Sequence, residues 1–428
     1  MNRSNETIFA LATQKAKSAI AVFRVSGKNS HKIIKSISSR KNFKTNVACL
    51  NNIKSDKNII DQTLTTFFKS PNSYTGENMV EISCHGSVSV INKITEIILE
   101  KKIRLAEPGE FTKRALINDK LTSLEAETIN DLINSETENQ RKIAIGNLSG
   151  NLDRFVNDIS SKIKKLLADV EAIIDFTDED LPIELYKNIK EQNKNICMLI
   201  NEVIKKSCLS KKIYEGYKIT IIGKPNTGKS SFINFINNKE VSIVTNIPGT
   251  TTDLVTSVLD IGGDKYTFVD TAGIRKYNNM IEKIGIERSL ESAGESDLNI
   301  VFLKNNEKNN YLNIKDKIFV KSKHDINKKK IQGIHNISTV SGYGIEALLK
   351  KISRKLKKKA ISGTIFSRER HIESLKSCIY YLKQVNLKEI DISSENIRTA
   401  LKHINGINQK FDIEKILDII FSDFCIGK

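Results

Sequence analysis

The sequence predicts a multidomain chain that joins α/β parts to an all-α part. Three observations carry that expectation. The 428 residues exceed what one hydrophobic core organises, since domains run to roughly 150 residues each. The segment GKPNTGKSS, residues 223–231, stands between a β-branched run and an apolar helical run. Apolar residues at three-and-four spacing lie both before and after that region, so a compact α/β body is expected within a helical one.

Residues 1–118 read as the first α/β domain. Ala19 to Val25 and Met79 to Ser83 are β-rich, and Val88 to Leu99 has helical periodicity. Residues 119–212 read as the first part of a helical domain. Leu152, Phe155, Val156, Ile159, Ile163, Leu166, Leu167, Val170, Ile173 and Ile174 form one stripe, and Leu199, Ile200, Val203 and Ile204 another. Residues 216–355 alternate short β-branched runs with helices, as in a parallel α/β domain. Residues 360–428 return to helix, with stripes at Ile372, Leu375, Ile379, Leu382 and at Ile413, Ile416, Leu417, Ile420. No internal repeat is present.

Composition narrows the class. Hydrophobic residues make up 39% and charged residues 28%, which is ordinary globular material. The net charge of +18 favours a polyanionic partner such as RNA, DNA or an acidic membrane surface, or reflects a Lys-rich coding bias. Lys350 to Lys359 holds seven basic residues in ten, a solvated helix face or an RNA contact. No apolar run approaches the roughly 18 residues of a spanning helix, and six scattered cysteines form no C-x-x-C pair. A reduced, cytoplasmic protein is expected.

The phosphate loop is the strongest signal. Gly223 and Gly228 let the backbone wrap phosphates, with the N–H groups of Asn226, Thr227, Gly228, Lys229, Ser230 and Ser231 near the helix N-terminus. Lys229 is expected at the β- and γ-phosphates, and Ser230 at Mg²⁺. A predicted strand, Tyr266 to Val269, ends in Asp270-Thr271-Ala272-Gly273, where Asp270 would hold the Mg²⁺ shell and Gly273 would donate to the γ-phosphate. Between them, Gly249-Thr250-Thr251-Thr252-Asp253 offers Thr251 as the second Mg²⁺ ligand. These elements in this order predict a Ras-like P-loop G domain, with ATP the weaker alternative to GTP.

Base choice rests on Ser322-Lys323-His324-Asp325. Lys323 and Asp325 match the N-K-x-D guanine motif, but Ser322 replaces the Asn that ties this loop to the phosphate loop. The shorter hydroxyl predicts a looser tie, hence guanine selectivity with weakened affinity. Ser338-Thr339-Val340 also departs from the usual S-A-K/R. Ile274 follows the DTAG segment, and an aliphatic side chain cannot orient water.

Taken with SYTGENMVEISCHG (73–86), LAEPGEFTKRALINDKL (105–121), IEKIGIERS (281–289) and the terminal Cys425-Ile426-Gly427-Lys428, the chain resembles the MnmE (TrmE) family of tRNA-modification GTPases from end to end. The resemblance implies an N-terminal tetrahydrofolate-binding-like domain, a helical domain and an inserted G domain. It implies K⁺ in place of an arginine finger. Asn226, Thr245, Ile247 and Thr250 match the K⁺-coordinating positions, within a loop Thr245, Asn246, Ile247, Pro248, Gly249, Thr250, Thr251 that closes over GTP. Glu282 matches the residue that orients the attacking water. Arg24, Glu81, Lys120 and Lys428 match folate-contacting positions, and Cys425 a cysteine needed for modification. Gln14 to Ser18 replaces the family's Pro- and Gly-rich turn, which predicts a rebuilt turn beside the folate pocket. The remaining cysteines, Cys84 beside His85 included, are read as structural.

The partners implied are a second copy of the chain in a homodimer, the flavoprotein MnmG in a heterotetramer or larger assembly, and tRNA, with no membrane. The cofactors implied are GTP, Mg²⁺, K⁺ and 5,10-methylene-tetrahydrofolate, with 5-formyl-tetrahydrofolate as analogue and FAD carried by the partner. The implied reaction adds an aminomethyl or carboxymethylaminomethyl group to carbon 5 of the wobble uridine. Two alternatives stay open at this point. One is a ribosome-assembly GTPase that binds RNA without modifying it. The other is a folate-dependent transferase with a merely regulatory G domain.

Overall fold

The computed structural model describes residues 6–56, 58–175, 182–238, 242–243, 255–270, 294–304, 307–311, 313–327, 331–356, 364–408 and 427. The chain divides into two compact units, Met1–Asn130 with Asn405–Lys428, and Asp131–Ile404.

The first unit is built on a six-stranded sheet of order β3-β4-β5-β2-β1-β6. Its strands are β1 (Ile8–Leu11), β2 (Ser18–Ser26), β3 (Ala48–Ser55), β4 (Asn58–Phe68), β5 (Met79–Gly86) and β6 (Arg104–Leu105). Strand alternation sends Ala21, Phe23 and Val25 of β2 inward, where helices α1 (Ser30–Ile37) and α2 (Val88–Glu100) cover them. Phe9, Phe23, Ile34, Ile53, Ile82, Ile94 and Ile98 are all within that core. The opposite face carries Arg24, paired in register with Glu81 of β5. Helix α3 (Glu110–Ile117) starts from Gly109, whose φ of 71° sets the turn into it.

In the second unit, helices α5 (Glu138–Leu148), α6 (Asn151–Asp175) and α7 (Ile183–Glu215) precede a second sheet, with α4 (Ser123–Ile133) leading in from the first unit. The stripe expected over 152–174 is one 25-residue helix, and Leu152, Val156, Ile159, Ile163, Leu166, Val170 and Ile173 are buried along it. In α7 the stripe runs through Ile189, Ile196, Ile200 and Val203, whereas Leu199 is 39% exposed and belongs to the wet side. A helical period read over four residues is too short to fix the face of a 33-residue helix.

The second sheet has seven strands in the order β13-β12-β11-β7-β10-β9-β8. They are β7 (Tyr217–Gly223), β8 (Ser242–Ile243), β9 (Val255–Ile261), β10 (Asp264–Asp270), β11 (Leu298–Phe302), β12 (Lys317–Lys321) and β13 (His335–Asn336). β7, β10, β11, β12 and β13 run parallel; β8 and β9 pair antiparallel at one edge. Helices α8 (Lys229–Asn237) and α9 (Ile345–Leu356) bury Phe232, Ile233, Ile236, Ile345, Leu348 and Ile352 in its core. Lys350, Lys351, Arg354 and Lys355 occupy the solvent side of α9.

Helix α10 (Glu369–Lys383) and helix α11 (Ile390–Gly406) follow. Leu375, Ile379 and Leu382 of the expected stripe are buried, and Asn193 of α7 donates from Nδ2 to the Leu382 carbonyl at 2.8 Å. Helices before and after the second sheet thus pack together, the arrangement of an inserted α/β body. No described helix is long and apolar enough to cross a membrane. The stripe at Ile413, Ile416, Leu417 and Ile420 lies outside the described residues.

Candidate functional site

The phosphate loop joins the end of β7 to the start of α8. It turns through left-handed backbone at Asn226 (φ 60°) and Gly228 (φ 96°), a bend that points successive N–H groups into one concavity. Gly223 packs so closely that an added Cβ would lie 2.5 Å from the Phe302 carbonyl oxygen. Lys229 is buried and its Nζ donates to the carbonyls of Gly223 (2.6 Å) and Lys224 (2.9 Å), so its charge is held inside the loop. Thr227 ties the loop by donating from Oγ1 to the Lys224 carbonyl at 2.8 Å. Ser230 and Ser231 are exposed on the first turn of α8. Asp270 ends β10, is 3% exposed, and stands in register with Ile221 of β7, two residues before the loop begins. A cradle of N–H groups, a buried lysine and an adjacent carboxylate fit the phosphates of a nucleotide and their Mg²⁺.

The base loop follows β12. Asp325 is exposed, and its Oδ1 accepts a 2.6 Å hydrogen bond from the fully buried Ser338 hydroxyl. Lys323 takes φ 63°, and the His324 ring stacks on Tyr343 at 4.5 Å. Ser322 does reach the phosphate loop. A Cβ on Gly228 would fall 2.6 Å from Ser322 Oγ, so the two loops are in direct contact because residue 228 has no side chain. The shorter hydroxyl thus meets the phosphate loop by close packing against Gly228.

A second cluster sits on the outer face of the first sheet. Arg24 donates from Nε to Glu81 Oε1 at 2.8 Å, lies 5.7 Å from the Tyr74 ring centroid, and donates from Nη1 to the Gly427 carbonyl at 3.4 Å. Gly427 needs its φ of 104°, and a Cβ there would meet Ala12 Cα and the Leu11 carbonyl at 2.7 Å. The chain terminus is thereby brought to the end of β1. Lys120 lays its aliphatic stem against Gly76, with a notional Cβ 3.1 Å from Lys120 Cγ. Residues 14–17 form the exposed turn into β2.

The motif segments beneath this face are an ion network. Arg114 is 4% exposed and donates to Glu77 Oε2 (3.0 Å), Glu110 Oε1 (2.9 Å) and the Glu6 carbonyl (2.7 Å), while Arg104 grips Glu110 with both terminal nitrogens. Burial pushes the Glu110 carboxyl up, but Arg104, the Glu107 N–H and Arg114 outweigh it and hold the group below its ordinary range. Burial pushes the Cys84 thiol up to about 11, with help from Asp61, which fits an inert core cysteine.

The expected site residues Arg24, Glu81, those of the phosphate loop, Asp270 and Asp325 lie within these clusters, which also include Tyr74, Gly427 and Ser338, residues not among the expected ones. Tyr74 stands inside SYTGEN and Ser338 in the segment after the base motif, so motif membership was the available signal. Thr245 to Thr251, Thr271, Ala272, Gly273, Glu282, Cys425 and Lys428 lie outside the described residues.

A phosphate loop on a mostly parallel sheet, an acidic residue ending the neighbouring strand and an oriented Asp in the S-K-x-D loop define a P-loop nucleotide-binding protein of the GTPase class. The model of the MnmE helical domain matches residues 124–425, and that of the GTP-binding protein TrmE N-terminus matches residues 7–120. The tRNA modification GTPase MnmE of Rickettsia bellii (strain RML369-C) is 37% identical over 444 aligned residues, covering 99% of this chain and 100% of that protein. Those of Pelagibacter ubique and Clostridioides difficile are 40% and 35% identical, each over 99% of this chain and 100% and 99% of their own. Among solved structures, the G domain of the T. maritima FeoB iron transporter is 27% identical over 33% of this chain and 99% of that one, with a TM-score of 0.27, too low to bear on the fold. The chain belongs to the MnmE (TrmE) family of tRNA modification GTPases.

Proposed function

We propose that this chain is a K⁺-activated GTPase which, with a flavin-bearing MnmG-type partner, modifies carbon 5 of the wobble uridine of certain tRNAs. The observation that carries the reading is the joint presence, in a chain of this family, of a built nucleotide site and a separate Arg24–Glu81–Tyr74 cluster. The backbone of Asn226 to Ser231 and Lys229 would hold the phosphates of GTP, with Ser230, Thr251 and Asp270 about Mg²⁺. Asp325, steadied by Ser338, would accept the N–H groups of guanine. Asn226 with Thr245, Ile247 and Thr250 would hold K⁺, which supplies positive charge where charge develops on the transferring phosphate. Glu282 would orient water, and Cys425 would serve the modification step.

Arg24, Glu81, Lys120 and Lys428 would bind tetrahydrofolate. The Glu81 carboxylate suits the amine edge of a pterin, and the cations suit its carboxylated tail. On the same sheet face Ile20, Leu50 and Leu64 are 61%, 59% and 50% exposed, with Leu50 and Leu64 directly cross-strand. Such an apolar face supports dimerisation through this domain. GTP hydrolysis would gate the assembly by moving the G domains. The ribosome-assembly alternative lacks any use for the N-terminal domain, whose match spans residues 7–120.

The experiment is GTP hydrolysis in K⁺ against Na⁺ buffer, with Asn226→Ala as control. Strong K⁺ dependence that the variant loses is expected. Equal rates in both salts would overturn the cation-activated mechanism.

A further inference from the structure

The hairpin β9–β10 links the nucleotide site to the helical domain. Its strands pair over seven residues, from Asp264↔Ile261 to Asp270↔Val255, and β10 also pairs with β7 from Tyr266↔Tyr217 to Asp270↔Ile221. One end of β10 is Asp270. The other is the Gly262–Gly263 turn, with φ of 66° and 88°.

The N-terminus of α5 grips that turn. Asn139 donates from its backbone N–H to the Gly263 carbonyl at 3.1 Å and from Nδ2 to Asp264 Oδ1 at 2.7 Å. A Cβ on Gly263 would lie 2.9 to 3.0 Å from the Asn139 carboxamide. Asp260 closes the turn by accepting from the Gly263 N–H at 2.7 Å, and Glu136 pairs with Lys265. The helix is itself anchored. Its capping box uses Thr137 and Gln140; Gln140 Nε2 also donates to the Ile213 carbonyl at 2.9 Å, and Asn147 Nδ2 to that of Ile365 at 3.0 Å. Those two carbonyls lie on the chain's crossings into and out of the second sheet, so α5 cannot shift without moving both.

We propose that Asn139 is a positioning residue for GTP hydrolysis. By holding the turn, it restrains the end of the β9–β10 hairpin opposite Asp270, and so steadies the strand whose other end stands beside the phosphate loop. The six steps from Asp264 to Asp270 span about 20 Å, and β10 is hydrogen-bonded to β9 and β7 along that length. The inference rests on the GTP·Mg²⁺ reading of the site.

The test uses the full chain with Asn139→Ala, Asn139→Asp and the exchange Asn139→Asp/Asp264→Asn. Asn139→Ala keeps the backbone bond and loses only the side-chain donor; Asn139→Asp sets two carboxylates face to face. Both single variants are expected to bind GDP without Mg²⁺ as the parent does. Both should need more Mg²⁺ for half-maximal hydrolysis and show kcat lowered about fivefold, with Asn139→Asp the worse. The exchange reverses the hydrogen bond and should restore both parameters. Parent-like Mg²⁺ dependence and kcat in the single variants, a lowered melting temperature with unchanged kinetics, or an exchange that restores nothing would each overturn the proposal. A parent protein that binds no guanine nucleotide would overturn the underlying reading, and the proposal with it.

Discussion

The hydroxyl of Ser338, fully buried, donates to Asp325 Oδ1 at 2.6 Å and so fixes the rotation of an exposed carboxylate. In the proposed reading that carboxylate meets the N–H groups of a guanine edge. Ser338→Ala removes the bond without removing the acceptor. Guanine nucleotide affinity is expected to fall about fivefold to tenfold, the worth of one hydrogen bond to a charged group near solvent. Competition between GTP and ATP for a fluorescent nucleotide checks it, since a freely rotating Asp325 should also narrow the preference for GTP.

Gly228 is constrained twice, by a φ of 96° and by Ser322 at 2.6 Å from any added Cβ. Gly228→Ala should abolish measurable nucleotide binding while leaving the helical content of the chain intact by circular dichroism. Ser322→Ala, which keeps the close approach and removes only the hydroxyl, should cost less than about threefold in affinity.

Arg24 meets three partners, Glu81, Tyr74 and the Gly427 carbonyl, on the face proposed to bind folate. Arg24→Ala should weaken binding of 5-formyl-tetrahydrofolate at least about tenfold, while Arg24→Lys, which keeps the charge but not the planar fork, recovers only part of it. Isothermal titration reads both. Phosphate-loop chemistry should be unaffected.

Glu110 has its carboxyl held below the ordinary value of 4.5 in the folded state. The stability it contributes is therefore fully present above that value and is lost as pH falls through the lower folded value. Glu110→Gln should be less stable than the parent at pH 7, and the gap should close as pH drops below about 4.5. Chemical denaturation at a series of pH values from 7 downward follows it directly.

What was legible in the sequence was what short-range pattern encodes. The alternation of β2, the stripe of α6, the phosphate loop between β7 and α8, and Asp270 at a strand end were all placed correctly. Contacts across long separations were not. Arg24 and Glu81 lie 57 residues apart and meet through β-sheet register; Asn139 and Asp264 lie 125 apart and meet through packing of a helix on a turn. The signature EPGEFT–KRA pointed to a family without showing its physical task. That task is to supply the buried Glu110 and Arg114 to an ion network whose other members, Glu6, Glu77 and Arg104, come from separate stretches of the chain. The close approach of Ser322 to the phosphate loop is not legible from residue 322 alone. The contact depends equally on the missing Cβ of Gly228.

In the proposed function, hydrolysis at the nucleotide site drives modification of tRNA. The most direct measurement is transfer of labelled carbon from methylene-tetrahydrofolate into tRNA by the purified chain with its flavoprotein partner, in K⁺ buffer, with GTP or with a non-hydrolysable analogue. Label in the wobble uridine with GTP, absent with the analogue and absent in Gly228→Ala, is the expected result. Full GTP hydrolysis with no label entering tRNA would contradict the account.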